Sequence, residues 1–467
     1  MGDAMRPIKR AALAAALVAL AGAAWGHAAE GGFVLLLPTD LYIAGGVASV
    51  AATVLLLAVL PPRAAEAAFR PLPLVRVPRL TLRHATSLLA ALLFAFLVWA
   101  GLNGPRDPVV NPLPLAVWTL WWIALVSLQG LVGNHWRWTN PWSGPAALLS
   151  WLTGLRAPLR YPRRLGHWPG IATFLAFAAF LLADIAPTDP ERLAVVAGAY
   201  WLFAFAGLLL FGPAWLVRAE GLTVMMRVYG RMALFGRARG RLAAGLPGWQ
   251  VLARPKAGTG LAVFVLLMLG AGSFDGLNET FWWFARIGIN PLEFPGRSEV
   301  IAQNLLGLFA ASAALIAVFA GTVWLGLGLA RAEMPPAEAF RLFAPSILPI
   351  ALGYHIAHYL ASFLVEAQYA LAAANDPLAT GADLLGLGTF YVTTGFFSVE
   401  SKVRIIWLSQ AGAVVAGHVL AILLAHALAV RAFGTTRRAA LSQAPLAAFM
   451  VLYTLFGLWL LASPRGV

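Results

Sequence analysis

Two histidines stand in the middle of an apolar stretch, in the segment YHIAHYL at residues 354–360. His355 and His358 are three positions apart, so an α-helix would separate them by about 60° and place them on one face. Neutral imidazoles at this spacing can bind a transition-metal ion or relay protons. Ionisable side chains in apolar helices face a cavity or the protein interior rather than lipid. The segment therefore predicts a buried polar site.

A third histidine is expected at the same depth. The predicted apolar spans 343–373 and 403–430 have His358 and His418 near their midpoints. Helices that follow each other in the chain usually pack together. We therefore expect His355, His358 and His418 to meet near the centre of the bilayer as ligands of one metal ion.

The sequence leaves several alternatives for the group that these histidines bind. The expected ion is Zn, Fe, Co, Ni or Cu, because these bind imidazole. Haem fits less well, since paired histidines 13 or 14 residues apart on each of two helices do not occur. The H-E-x-x-H zinc motif is also absent. Alternatively, each histidine donates separately to a backbone carbonyl or to a tyrosine, and Tyr354 and Tyr359 are adjacent.

Polar residues on the outer side predict a route of access to this site. Ser362 and Glu366 lie within about 20° of the first histidine on the helix, and Glu366 is roughly 16 Å further along it. The segment SFDGLNET places Asp275 and Glu279 four positions apart. These two carboxylates either pair with a basic residue such as Arg286 or collect a small cation above the site.

Two more histidines are weaker candidates. His426 is five residues from Arg431, which favours a position at the membrane interface. Residues 1–26 have the basic, apolar and small-residue regions of a secretory signal, although an uncleaved first helix is the alternative. Cleavage after Gly26 would leave His27 as an amino-terminal residue that can chelate copper.

The elements that must position these side chains are membrane helices. Hydrophobic residues make up 61% of the 467 residues and charged residues 11%, against about half and a quarter in soluble proteins. The chain has no cysteine, which excludes disulfides and thiolate metal ligands. The sequence predicts an all-α polytopic transmembrane bundle of about ten spans after the signal-like segment. These spans are 38–60, 86–103, 113–133, 169–186, 193–216, 259–274, 301–329, 343–373, 403–430 and 440–462.

Basic residues predict the orientation. Alternate connecting segments hold 23 of the 33 lysines and arginines, the opposite set holds 7, and the signal-like segment holds 3. Because cytoplasmic loops are enriched in basic residues, we expect a bacterial inner-membrane protein with both mature ends outside. The net charge of +14 then reflects these loops, and nucleic acid is not an expected partner; the lipid bilayer is. Residues 27–467 form one predicted membrane domain, with halves 38–216 and 259–462 joined by the basic loop 217–258.

Several short motifs carry a resemblance to a known family. YHIAHYL, HAAEGGFVLLLPTDLYIAGG, TNPW and FDGLNET resemble a family of uncharacterised bacterial polytopic membrane proteins, some of which are labelled fenitrothion hydrolase. This resemblance implies organophosphate hydrolysis, but it assigns no catalytic residues. From the residues themselves, the leading interpretation is a protein that binds or moves a metal ion or protons. A membrane-embedded metal-dependent hydrolase and a non-catalytic subunit of a membrane complex are the alternatives.

Overall fold

A computed structural model of the chain describes residue 34 and residues 37–59, 61–76, 82–254, 257–293 and 296–465. Within these residues, nine helical segments are long and apolar enough to cross a membrane, which indicates a multi-pass membrane protein. The signal-like segment and His27 lie outside the described residues. Nine long apolar helices and one shorter one, α4, are labelled in chain order: α1 (Thr39–Val59), α2 (Arg83–Asn103), α3 (Pro112–Leu131), α4 (Trp168–Ala183), α5 (Pro190–Phe211), α6 (Thr259–Leu277), α7 (Ile301–Leu329), α8 (Leu348–Asn375), α9 (Glu400–Phe433) and α10 (Thr436–Ala462).

Each predicted span coincides with one of these helices, but α4 is shorter than expected. It has 16 residues in place of the predicted 169–186. At 1.5 Å per residue its length is about 24 Å, less than the roughly 30 Å of a hydrocarbon core. The helix ends at Ala183 because Asp184 takes an extended conformation and its carboxylate accepts a hydrogen bond from the Ala186 N–H.

Three of the predicted cytoplasmic segments meet on one side of the bundle. Strand β1 (Leu72–Pro73) pairs with β3 (Arg241–Ala244), and β3 also pairs with β2 (Phe235–Ala238), so that the antiparallel sheet has the order β1-β3-β2. Arg431 forms a salt bridge with Glu66 and donates to the carbonyl of Leu252 at 2.7 Å. These contacts agree with the expectation that the three segments share one side.

Short helices connect the long ones, and one of the latter is irregular. Residues Leu115–Leu125 of α3 form a π-helix, a conformation that is rare and often found at functional sites. The short α-helices are Pro62–Ala68, Trp136–Thr139, Ser143–Thr153, Pro213–Arg218, Gly221–Tyr229, Trp249–Ala253, Phe281–Arg286 and Pro336–Phe343, and the 3-10 turns are Arg163–Leu165, Pro291–Glu293, Arg297–Val300, Ala344–Ile347 and Gly395–Ser398.

The core of the bundle lies around α6, α8 and α9. In an 18-residue apolar stretch of α6, 83% of the residues are buried inside the protein, whereas in the corresponding stretch of α1 only 11% are. Glycines bring α8 and α9 close together: a Cβ on Gly353 would lie 2.4 Å from the Ala413 carbonyl oxygen, and one on Gly417 would lie 2.6 Å from the Pro349 carbonyl oxygen. Such small residues allow membrane helices to pack backbone against backbone. The predicted contact between these two helices is therefore present, and α8 also packs against α3 and α6.

Candidate metal centre

A buried carboxylate and a buried imidazole meet between α6 and α8. Asp275 lies two residues before the end of α6, and His358 lies on α8; their exposed fractions are 8% and 7%. Asp275 Oδ2 is 3.3 Å from His358 Nε2, and the Tyr359 hydroxyl donates to the same carboxylate oxygen. A carboxylate in an apolar interior requires partners of this kind, because an unpaired charge there is very costly.

Glu279 completes a group of three potential metal ligands. It lies in the turn that follows α6, and one ligand atom each from Asp275, Glu279 and His358 fall within 4.8 Å of one another. The Glu279 side chain is 46% exposed, so the group extends from the protein interior to the surface. The sequence predicted these two carboxylates either as partners of a basic residue or as collectors of a cation above the site; the structure groups them with His358.

The basic partner of Glu279 is Arg465 and not Arg286. The Arg465 Nη1 atom lies 3.5 Å from Glu279 Oε2, and the backbone holds it there because Arg465 pairs with Thr280 as an antiparallel bridge. The Arg286 guanidinium instead lies 5.2 Å from the centre of the Trp282 ring. The expected salt bridge is thus formed by Arg465.

Two buried polar atoms beside this group lack a hydrogen-bond partner within the described residues. They are Nδ1 of His358 and the hydroxyl oxygen of Tyr354. The two rings are nearly parallel, with centres 5.8 Å apart. Gly276 makes room for both: a Cβ at this position would lie 1.9 Å from the tyrosine hydroxyl and 3.5 Å from Nδ1. Glycine is required here because the backbone of α6 passes directly over the hydroxyl.

A small cavity adjoins the ligand group. Its volume is about 30 Å³, and its polar lining comes from Tyr229, Asp275, Tyr354, His355, His358 and Tyr359. A cavity needs roughly 10–15 Å³ to hold one water, so this cavity has room for about two. The remaining walls are apolar and are formed largely by α4 and α6.

His355 lines this cavity together with His358, but its imidazole is hydrogen-bonded to α3. Its Nε2 atom donates to the carbonyl of Trp122 at 3.0 Å, and its ring meets the Trp122 indole edge-on at 5.1 Å. Trp122 belongs to the π-helical part of α3. His355 is therefore tied to α3 and lies outside the group of Asp275, Glu279 and His358.

His418 is buried on α9 but also lies outside the ligand group. Its Nδ1 atom donates to the carbonyl of Val414 in its own helix at 2.9 Å, and its ring lies 6.3 Å from that of Tyr453 on α10. It does not line the cavity that the other two histidines share. The binding of one ion by all three imidazoles stays a prediction. Among the described residues, the group of potential ligands is Asp275, Glu279 and His358.

The remaining candidates lie apart from this centre. Glu366 accepts a hydrogen bond from Thr119 of α3 at 2.7 Å, and neither Glu366 nor the half-buried Ser362 lines the cavity. His426 is buried and, together with Gln443, lines a separate cavity of about 250 Å³ between α1, α9 and α10.

Sequence reasoning misses the roles of Tyr359, Arg465 and Gly276. The sequence suggests Tyr359 only as a hydrogen-bond partner for histidine, and nothing in the spacing links it to a carboxylate 84 positions away. A charged residue close to an otherwise apolar carboxyl terminus is the one available signal for Arg465.

Comparisons with models of known protein families, with curated proteins and with solved structures find no match.

Proposed function

We propose that the protein binds one divalent transition-metal ion through Asp275, Glu279 and His358 and handles this cation in the membrane. One distance carries the proposal. Ligand atoms held at about 2.1 Å around one ion in a tetrahedron lie roughly 3.4 Å apart. The separation between Asp275 Oδ2 and His358 Nε2 is 3.3 Å. These two atoms are therefore already spaced as neighbouring ligands of a single ion.

The chemistry of the donors favours particular metals. One imidazole and two carboxylates suit Zn²⁺, Fe²⁺ and Co²⁺, whereas Cu(I) prefers thiolates and thioethers. Two carboxylates also balance the double charge of the ion, which lowers the cost of burying it. The hydrogen bond from Tyr359 orients the Asp275 carboxylate, and contacts of this kind tune metal affinity. The adjoining cavity offers space for a water as the fourth ligand.

The exposed end of the ligand group supports uptake from one side. Glu279 is the most exposed ligand, and the distribution of basic residues predicts that its loop lies outside the bacterial inner membrane. An arriving cation meets Glu279 first and displaces the guanidinium of Arg465, because both compete for one carboxylate. It then reaches the buried pair of Asp275 and His358.

Proton release accompanies this binding. Metal ligands must be deprotonated, so an ion that enters the site expels any proton held by the imidazole or the carboxylates. The affinity for metal therefore falls as the pH is lowered. The same three side chains can relay protons when no metal is bound, so one site serves both a metal ion and protons.

Metal-activated hydrolysis is the second candidate, and the cavity favours it in part. Three protein ligands with an adjacent space for water are typical of catalytic metal sites. However, substrate pockets usually enclose roughly 300–1,000 Å³, at least about ten times the 30 Å³ beside Asp275 and His358. An organophosphate triester does not fit there without a large rearrangement. Cation handling is therefore the preferred function.

Metal analysis and calorimetry on detergent-purified protein test the proposal. We expect one bound ion per chain, and we expect Asp275→Asn and His358→Gln each to weaken binding by more than the 10–100-fold that follows loss of a group contacting a ligand. Glu279→Gln should have a smaller effect, since this carboxylate is half exposed.

The matched control is His418→Gln, which removes a buried imidazole outside the group. If His418→Gln abolished metal binding and Asp275→Asn left it intact, the assigned ligands would be wrong. That result would favour the three-histidine site. Absence of any bound ion in the wild type, with no heat on titration of Zn²⁺, Fe²⁺ or Co²⁺, would refute the proposal.

A further inference from the structure

A second cavity lies between α1, α9 and α10. Its volume is about 250 Å³, and none of its lining residues belongs to the smaller cavity beside the candidate metal centre. Two polar side chains, His426 of α9 and Gln443 of α10, line it. The cavity thus combines an apolar wall with a few polar groups, as ligand sites usually do. The apolar wall includes Val54, Leu55, Leu57, Ile422, Leu446 and Met450.

The imidazole of His426 forms no hydrogen bond with another residue in the described part of the chain. Its exposed fraction is only 5%. The buried imidazoles of His355 and His418, by contrast, each donate to a backbone carbonyl. A buried polar group without a partner lowers stability. The protein is therefore stabilised by a ligand that hydrogen-bonds to the ring of His426.

Gln443 contributes an acceptor that is also unused. Its Nε2 atom donates to Ser442 Oγ at 3.3 Å, and that hydroxyl donates to the carbonyl of Ala439 at 2.8 Å. Because the hydroxyl hydrogen is already engaged, Ser442 can only accept from the amide. Oε1 of Gln443 is then left buried, without a partner among the described residues. A ligand in the cavity can donate to Oε1 after a rotation of the terminal torsion, which is broad for glutamine.

The backbone of α10 adds a second acceptor at this cavity. Pro445 lies inside the helix, and proline has no N–H, so the carbonyl of Leu441 four residues earlier loses its usual donor. Leu441 also lines the cavity. The polar groups are therefore one imidazole, which can donate or accept, and two acceptors. A hydroxyl group complements this set, because it donates one hydrogen bond and accepts others.

The cavity borders the surface that faces the bilayer. Leu55 of α1 and Leu441 of α10 line it and have exposed fractions of 72% and 37%. Both belong to helices apolar enough to span a membrane, so lipid covers their exposed surface. His426 is five residues from Arg431, or about 8 Å along α9, and Arg431 pairs with Glu66 outside the long helices. A ligand therefore arrives from the lipid phase and places its polar group just below the interface.

The size and the lining of the cavity favour an aromatic ring. An apolar cavity of roughly 150 Å³ binds benzene, so about 250 Å³ accommodates a ring with substituents. The thioether of Met450 on the wall makes favourable contacts with aromatic rings. A lipid acyl chain, by contrast, would leave His426 and Gln443 without partners. We propose that this cavity binds a lipid-soluble compound with a hydroxylated aromatic ring, a phenol or a quinol.

The test measures binding of tritiated trimethylphenol to the detergent-purified full chain by scintillation proximity. Unlabelled trimethylbenzene, which lacks the hydroxyl, and trimethylcyclohexanol, which lacks the aromatic ring, serve as competitors. His426→Leu and Gln443→Met remove the polar groups of the cavity. His418→Leu and Gln410→Met are the matched controls, because both residues are buried on α9 and neither lines the cavity. The thermal midpoint of each protein without ligand is followed by intrinsic fluorescence.

We expect the wild type to bind trimethylphenol at least roughly 3–10-fold more tightly than trimethylbenzene, because one hydrogen bond contributes about this factor. His426→Leu and Gln443→Met should each weaken trimethylphenol binding by a similar factor and leave trimethylbenzene binding unchanged. Neither should lower the thermal midpoint, since each removes a polar group without a partner. Ala447→Phe, which fills the cavity, should abolish binding of both compounds. If a variant does not fold, the competition on the wild type still decides the outcome.

Three outcomes would overturn the proposal. Equal affinity of the wild type for trimethylphenol and trimethylbenzene would mean that the polar groups do not recognise a hydroxyl and that the cavity holds an apolar chain. Competition by trimethylcyclohexanol as strong as that by trimethylphenol would assign the cavity to an aliphatic alcohol. Undiminished binding to a folded Ala447→Phe variant would place the ring elsewhere on the protein.

Discussion

Replacing Gly276 with alanine should disturb the candidate metal centre through one defined contact. The new Cβ would lie 1.9 Å from the Tyr354 hydroxyl oxygen, whereas real Cβ contacts are essentially never shorter than 3.0 Å. The hydroxyl or the helix must therefore move by about 1 Å. Overpacking of this kind in a filled interior costs about 1–3 kcal/mol of the free energy of unfolding.

Gly272→Ala is the matched control for this substitution. Gly272 lies one turn earlier on α6, and a Cβ there would meet Tyr354 only at 3.8 Å, an ordinary contact. Both substitutions gain the same helix propensity, about 1 kcal/mol. The difference between the two variants therefore isolates the clash, and we expect Gly276→Ala to be less stable than Gly272→Ala by about 1–3 kcal/mol.

Removing the hydroxyl should rescue the clash. Tyr354→Phe deletes an oxygen that has no hydrogen-bond partner among the described residues, so the single change should be neutral or stabilising. In the Gly276→Ala/Tyr354→Phe double variant, the nearest ring atom would be the former hydroxyl-bearing carbon at 3.2 Å. Unfolding in mixed detergent, followed by tryptophan fluorescence, measures all four proteins. Strictly additive free energies would show that the two residues do not meet and would refute the described packing.

Three further predictions concern charges. Arg465→Gln should increase the affinity for divalent metal severalfold, because the guanidinium competes for Glu279; calorimetry that shows unchanged or weaker binding would contradict this. Asp184→Asn should lower stability by at most about 1 kcal/mol at pH 7, since its hydrogen bond with the half-exposed Arg192 depresses the pKa of Asp184 below 3.8. The stabilisation from Asp184 is present at pH values above the ordinary pKa of aspartate and is lost as the pH falls through the depressed pKa. The stabilities of wild type and variant should therefore converge in acid unfolding curves. Reporter fusions within 217–258 should report a cytoplasmic location and a fusion after the last residue an external one; the reverse pattern would invert the orientation.

The sequence by itself determined the class of the protein and the places where helices form. Runs of apolar residues long enough to cross hydrocarbon appear directly in the composition of each segment, because every backbone group in a lipid-exposed segment must be bonded within its own helix. Such local properties do not depend on which neighbour a helix chooses. The buried histidines at 355, 358 and 418 were predictable for the same reason.

Only the tertiary structure decided which polar groups meet. Asp275 and His358 are 83 positions apart, and their contact depends on the packing of α6 against α8. That packing rests on shape, including the absence of a side chain at Gly276, and hydrophobic periodicity does not encode it. Arg465 approaches Glu279 because the carboxyl-terminal segment pairs with the backbone after α6. The sequence therefore supplied the polar residues as separate candidates. Helix packing brought one histidine and two carboxylates together, since imidazoles at one depth need not face one another.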